Sequence, residues 1–470
     1  MNVTLRSACE QIELLKAGKI SPLELAEEHI RQIRRLNPVL RALVDFDAER
    51  VRAQARAMLE SSAERGPLFA LPVTVKASIS VAGLHCEIGS VLNCGNIPSR
   101  DAVVVSRMRA AGANILGATN TPEFLMAYVT ENDLYGRTNN PWDLSRTPAG
   151  SSGGESAAIA AGMSAGGLGS DSGGSVRVPA HFTGICALKP TPGRIPIEGH
   201  IPGCAGPFTT LGAIGPMART IADVELLFDV LSGQDPHDYF SAPVPLRKYT
   251  LEELKRVPIG YFEDDGLAPV TAETRHAVRD AAESLGKQGF DVRPFRPKAL
   301  EQARKLWWVF FVQCGSMFDQ PLLRGREDQL SPLFREFMGI AQAEPQLTAE
   351  QLLMAWAEAD VVRRKLLEQM QEFPVLLCPA CSVPAFKHGE REWCIDGQQV
   401  AYLDAMRYTQ WFNLLGSPAA VLPVGRSPEG PPIGVQVAGR PWEDELVLGI
   451  AGALDREFGY TPSPLIEHVG

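Results

Sequence analysis

The chain has 470 residues, 45% hydrophobic and 21% charged, which excludes a disordered or fibrous protein. With 45 basic and 55 acidic residues the net charge is −10, so no global basic field attracts nucleic acid or anionic lipid. The longest strongly apolar run, Leu306 to Val312, is far shorter than the ~20 residues of a membrane span. The first residues, MNVTLRSACEQIELL, lack the basic start and apolar core of a signal peptide. At roughly 150 residues per domain, this length allows about three domains or one large α/β domain.

Ser21-Pro22 opens a run with Leu25, His29, Ile30 and Ile33 on one face, which predicts a capped helix. His29 on that pattern reads as a structural or surface histidine. A second helix is expected at Asp47 to Ser61, so residues 1–65 read as helical. Leu71 to Val75, ending at Lys76, predicts a buried strand, Ala102 to Ala111 a helix, and Asn114 to Ala118 the next strand. This alternation points to an α/β protein. From Thr147 to Pro192 the chain is almost entirely Gly, Ala and Ser. A linker shares that composition, but not a small-residue helix at Glu155 to Met163 or apolar pieces at Val176 to Pro179 and Ile185 to Leu188. The stretch therefore reads as a buried, backbone-rich site. Charged helices follow at Ala272 to Gln288, Glu301 to Cys314 and Ala349 to Phe373. The end predicts a helix near Tyr408 to Leu415, then two neighbouring core strands, AAVLPVG and IGVQVAG. A final helix is expected at Glu443 to Phe458.

Gly150-Ser151-Ser152-Gly153-Gly154 matches the G-x-S-x-G elbow with Ser152 as nucleophile, but a Pro-containing loop precedes it where that motif needs a strand. Ser284-x-x-Lys287 ends a charged helix and reads as solvated surface. The nine cysteines have no disulfide-framework spacing, so they are expected to be reduced thiols in a cytoplasmic protein. Cys378 and Cys381 form a CPAC pair without further ligands at zinc spacing, and read as buried thiols beside a turn. Gly169 to Ser175 (GSDSGGS) is more informative. Such a run either makes a structural turn or forms a nest of N–H groups beside a serine, which acyl transfer needs. No histidine forms a motif with Ser175, and His181 could simply fill space. Lys76 is either a lysine snorkelling from a strand end or a desolvated amine available as base.

Together these segments resemble the amidase signature family. The likeness runs through PVTVKASIS around Lys76, DAVVVSRMRAAGANILGATNTPEF, NNPWDLSRTPAGSSGGESAAIAAG and GSDSGGSVRVPAHFTGICALKPTPGRIP. It ends with FNLLGSPAAVLPVG and GVQVAGRPWEDE. The resemblance implies one α/β domain over residues 1–470, a central mixed β-sheet wrapped by helices. Its parts would be a helical N-terminal part (1–65), a signature core (66–230), a variable helical part (231–395) and a C-terminal core return (396–470). It implies Ser175 as nucleophile and Ser151, after a cis Gly150–Ser151 peptide, as bridging serine. Lys76 would be the terminal base. The backbone N–H groups of Ser172, Gly173 and Gly174, with that of Ser175, would form the oxyanion hole. Leu125 and Met126 would line the substrate side. Ala77-Ser78, Ala149 and Ser172 depart from the family pattern without removing a catalytic atom.

The reaction so implied is hydrolysis of an amide C–N bond through an acyl-enzyme, without metal or organic cofactor. The expected partner is a small-molecule amide or carbamate, with no nucleic acid and no membrane span; a homo-oligomer is left open. Expected walls are Gly199 to Thr210 and the aromatic run Leu306 to Phe318, for which plain core packing is the competing reading. Leu125, Met126, Trp307, Trp308, Phe310 and Phe311 would favour apolar or aryl amides and carbamates (urethanes). Two alternatives stand beside this: the amidase-like subunit of a glutamine-dependent tRNA amidotransferase, and a non-enzymatic scaffold. An intact Lys76, Ser151 and Ser175 set weighs against the scaffold.

Overall fold

The computed structural model describes residues 2–60 and 65–468. Eleven strands build one mixed sheet. In chain order they are β1 (Leu43–Phe46), β2 (Pro72–Lys76), β3 (Asn114–Thr119), β4 (Gly166–Asp171), β5 (Cys186–Lys189) and β6 (Ala213–Ala218). There follow β7 (Ile259–Tyr261), β8 (Val292–Pro294), β9 (Val375–Pro379), β10 (Ala419–Arg426) and β11 (Pro432–Gly439). Across the sheet the order is β1-β3-β2-β4-β6-β5-β10-β11-β9-β7-β8. β2 runs parallel to both β3 and β4, and is therefore covered on both edges as well as both faces. That explains why every residue of β2, Lys76 included, is buried.

The expected helices form. Ser21 caps Pro22–Leu40 with a complete capping box to Glu24, and Pro22 sits in the first turn. The second lies at Ala48–Glu60, and the expected end at Ser61 lies outside the described residues. Helices at Val103–Ala110, Ala272–Lys287 and Asp444–Phe458 supply Met108, Leu285 and Leu448 to the core on one sheet face. Along β10, Ala420 and Leu422 join that core, while Val421 points to the opposite cluster with Ile159 and Ala180. This is strand alternation on a sheet buried on both sides. β10 and β11 are antiparallel neighbours, as the two apolar runs suggest. No helix of the described residues is long and apolar enough to cross a membrane.

Three expectations change. The N-terminal part is not wholly helical, because β1 pairs antiparallel with β3. The part from 231 to 395 is not only helical: it gives β7, β8 and β9 to the sheet. The single helix expected at Glu301 to Cys314 is instead Leu300–Trp308, a wide π turn at Val309–Gln313, and Cys314–Leu323. That wide turn rotates the aromatic run, so its rings do not share one face.

Candidate active site

Because β2 and β4 are parallel neighbours, their C-terminal ends lie side by side, bringing Lys76 next to Ser170 and Asp171. Lys76 Nζ donates to Ser151 Oγ at 2.6 Å and to Ser170 Oγ at 3.1 Å. Burial pushes the Lys76 ammonium down from 10.5 to about 7, with Asp171 and Glu155 opposing the shift. Glu155, on the small-residue helix Gly153–Ala160, accepts from the Thr74 and Thr119 hydroxyls. Burial pushes its carboxyl up to about 8 against those bonds. The Gly150–Ser151 peptide is cis. A Cβ at Gly150 would stand 2.5 Å from Val129 O, so only glycine fits the approach.

Beyond β4 the loop from Ser172 to Ser175 is pinned from several sides. Trp307 Nε1 donates to Ser172 O at 2.7 Å. The Tyr128 hydroxyl and Thr409 Oγ1 donate to Gly173 O at 2.8 and 2.6 Å. Asp171 Oδ1 accepts from Gly174 N at 2.8 Å and Oδ2 from Val176 N at 3.2 Å. Gly174 thus departs from its expected place among the oxyanion donors, because its N–H is committed to the Asp171 carboxylate. The N–H groups of Ser172, Gly173 and Ser175 have no protein acceptor among the described residues. Burial would raise the Asp171 carboxyl, but Arg177, in bidentate contact at 2.8 and 3.0 Å, outweighs it and holds the group well below the usual carboxylate range.

Ser175 is half-buried and opens into two adjoining cavities. The larger, of about 290 Å³, is lined by Leu125, Met126, Tyr128, Trp307, Trp308 and Phe311 among others. The smaller, of about 110 Å³, shares Leu125, Met126 and Phe311 and adds His200, Cys204 and Asp319. Ser151 faces the smaller arm. Leu125 and Met126 line both arms, at their junction. The wall expected at Gly199 to Thr210 contributes through His200, Pro202, Cys204 and Phe208. The aromatic run divides: Trp307, Trp308 and Phe311 line the large arm, whereas Phe310 packs into the core against Trp356 with ring centroids 5.6 Å apart.

Other candidates have structural partners. The His181 ring is fully buried, with Nδ1 accepting from Gly434 N at 2.8 Å and Nε2 donating to Val383 O at 3.1 Å. His29 is buried between Gln11 and the carbonyl of Met163. Ser152 is buried, and its Oγ accepts from Ser170 N at 3.3 Å rather than lining a cavity. Cys378 Sγ accepts from Gln436 Nε2, and Cys381 lies against Met406. Among the contributors passed over in the sequence are Ser170, Asp171, Arg177, Tyr128, Glu155 and Thr409. The first three were legible as polar residues within an otherwise glycine-rich, apolar stretch. Nothing local marked Tyr128, whose partner Gln410 lies far along the chain.

The family model described as Amidase matches residues 24–448. The chain is 34% identical to a subunit of the glutamyl-tRNA(Gln) amidotransferase of Roseiflexus castenholzii, covering 94% of each. It is 32% identical to an indoleacetamide hydrolase of Bradyrhizobium diazoefficiens, covering 96% of this chain and 86% of that one. Among solved structures, a bacterial aryl acylamidase of the amidase signature enzymes superposes with a TM-score of 0.85 at 26% identity, covering 96% of both chains.

Proposed function

The chain belongs to the amidase signature family, whose members hydrolyse amide C–N bonds, and from that premise we propose that it cleaves apolar or aryl amides, and aryl carbamates, through an acyl-enzyme on Ser175. The observation that carries this reading is the buried Lys76–Ser151 hydrogen bond of 2.6 Å beside a serine that opens into an aromatic cavity. Ser175 Oγ attacks the carbonyl carbon as Ser151 takes its proton and passes its own to the neutral Lys76 amine. The N–H groups of Ser172, Gly173 and Ser175 donate to the oxygen as it becomes anionic. The C–N bond then breaks, and the Lys76–Ser151 pair returns a proton to the departing nitrogen. Water, deprotonated along the same path, attacks the acyl-serine and releases the acid. Among the described residues the Ser175 hydroxyl has no hydrogen bond to Ser151, so this reading requires that link to form when substrate binds.

Carbamates fall within scope because both substrates pass through a tetrahedral adduct that backbone donors treat alike, leaving selection to the walls. A fluorophosphonate should label Ser175 and abolish turnover; an adduct on Ser152 overturns the assignment. The likeness to an amidotransferase component supports a second reading, use of glutamine as ammonia donor. Side-by-side kcat/KM for a nitroanilide, an aryl carbamate and glutamine separates the two. A clear preference for glutamine overturns the first.

A further inference from the structure

Among the described residues, the smaller arm is lined by one acidic side chain. Asp319, on the helix Cys314–Leu323, is 6% exposed and lines this arm together with Ser151, Ser172 and Ser175. Its Oδ2 is buried without a hydrogen-bond partner, and no lysine or arginine lines the arm among the described residues. An unpaired buried carboxyl is costly, and structural carboxyls acquire a donor or a cation. Asp171 in the same protein does so with Arg177, Asn413 and two backbone amides. The other polar groups on the arm offer Asp319 no charge. His200 Nδ1 already bonds Pro202 O at 2.8 Å, and burial keeps its ring neutral, pushed down to about 4. Burial pushes the Cys204 thiol up to about 12, so it is neutral too.

Building on the amidase reading, we propose that the arm is a subsite for a substrate group bearing a cationic nitrogen, with Asp319 receiving its N–H donors. The large arm then takes the apolar or aryl half of the substrate. The favoured class is an amide with an aryl or apolar group on one side of the scissile bond and a primary ammonium on the other. Desolvation already raises the Asp319 carboxyl to about 7. An ammonium in the arm would relieve that cost by pairing with it.

The test compares matched amides carrying either a terminal ammonium or a terminal methyl on a short straight chain. One set has the chain on the acyl side of a nitroanilide, the other on the amine side of a benzamide. In one of the two sets the ammonium member should lead in kcat/KM by about tenfold or more, the range of a hydrogen bond to a charged group. Asp319→Asn should bring that ratio close to one, and Asp319→Glu should restore part of it. A wild-type ratio within about twofold in both sets overturns the subsite, even where the Asn variant fails to fold. Thermal shift with n-pentylammonium against n-pentanol needs no turnover. A larger shift with the ammonium, lost in Asp319→Asn, supports the subsite, whereas equal shifts overturn it. Absence of turnover for every amide with an ammonium-specific shift retained would instead overturn the Ser175 chemistry.

Discussion

At the scale of single residues, the proposed relay depends on keeping one amine neutral inside a protein at ordinary pH. Lys76 reaches this state chiefly by burial, and its neighbours Asp171 and Glu155 partly oppose the shift. A base must be unprotonated to accept a proton. With its value lowered to about 7, kcat/KM should fall about tenfold per pH unit below that point and level off above it. Lys76→Ala should lower kcat by ~10² to 10⁴ while the protein stays folded. An unchanged kcat, or a profile flat down to pH 5, removes Lys76 from the relay. The same shift has a stability consequence of definite sign. Between about 7 and 10.5 the unfolded chain binds more protons at Lys76 than the folded one, so wild-type stability rises with pH across that window. Relative to Lys76→Ala, the wild type should therefore lose ground as pH falls from 10.5 to 7 and then stop losing it. Lys76 was legible through the resemblance to the amidase signature family, since the strand alone left a snorkelling lysine and a desolvated base as alternatives. Asp319 was not, because it lies just past the aromatic run that ends at Phe318 and its isolation exists only in three dimensions.

At the scale of elements, the Ser172–Ser175 loop works because large side chains hold its carbonyls on one side. Trp307 comes from a helix more than a hundred residues later, yet a Cβ on Gly173 would lie 2.6 Å from its Cζ2 and 3.0 Å from the Tyr128 hydroxyl oxygen. Gly173→Ala should therefore push Trp307 off Ser172 O and tilt the donor set, lowering kcat more than it raises KM. Replacing Trp307 with 3-benzothienylalanine swaps the indole N–H for sulfur and keeps the bicyclic ring, so it should cost kcat less than Gly173→Ala; a larger loss would mean the indole bond, not the close approach, fixes the loop. The glycine run announced a backbone site because few other functions use so many small residues. Which N–H groups would be free was not legible: Gly174 looks like its neighbours in sequence, and only the Asp171 carboxylate distinguishes it. Three strands at the two ends of the sheet were missed for a related reason. β1 is four residues with a charged Asp45, and β7 and β8 are three each, too short to show a period of two. The wide turn at Val309–Gln313 has no sequence signature, so the split of the aromatic run between cavity and core was beyond reach.

At the scale of the whole molecule, the Ser172–Ser175 loop joins parts of the chain distant in sequence. Lys76, Ser151 and Ser175 come from the first half, whereas Trp307, Asp319, Thr409 and Gln410 come from the second. Arg177 is the fully buried joint between them. It grips Asp171 beneath the loop and reaches Gln436 Oε1 at 2.7 Å on β11 and Thr409 O at 3.1 Å on the helix Arg407–Leu415. Because Arg177 holds Asp171 ionised far below neutrality, this joint should persist through mild acid, and activity lost near pH 6 should return on raising the pH. Arg177→Met would leave Asp171 buried and unpaired, at a cost of about 3 to 5 kcal/mol. Asp171→Asn alone would leave a buried guanidinium short of acceptors, with a loss of similar size. The double variant removes both charges and should lose less than the two singles together. Urea midpoints of the four proteins measure this coupling, and fluorophosphonate labelling rates show whether the loop follows it. Additive losses, or an Arg177→Met variant within about 1 kcal/mol of wild type, would mean that packing alone holds the two halves at the site.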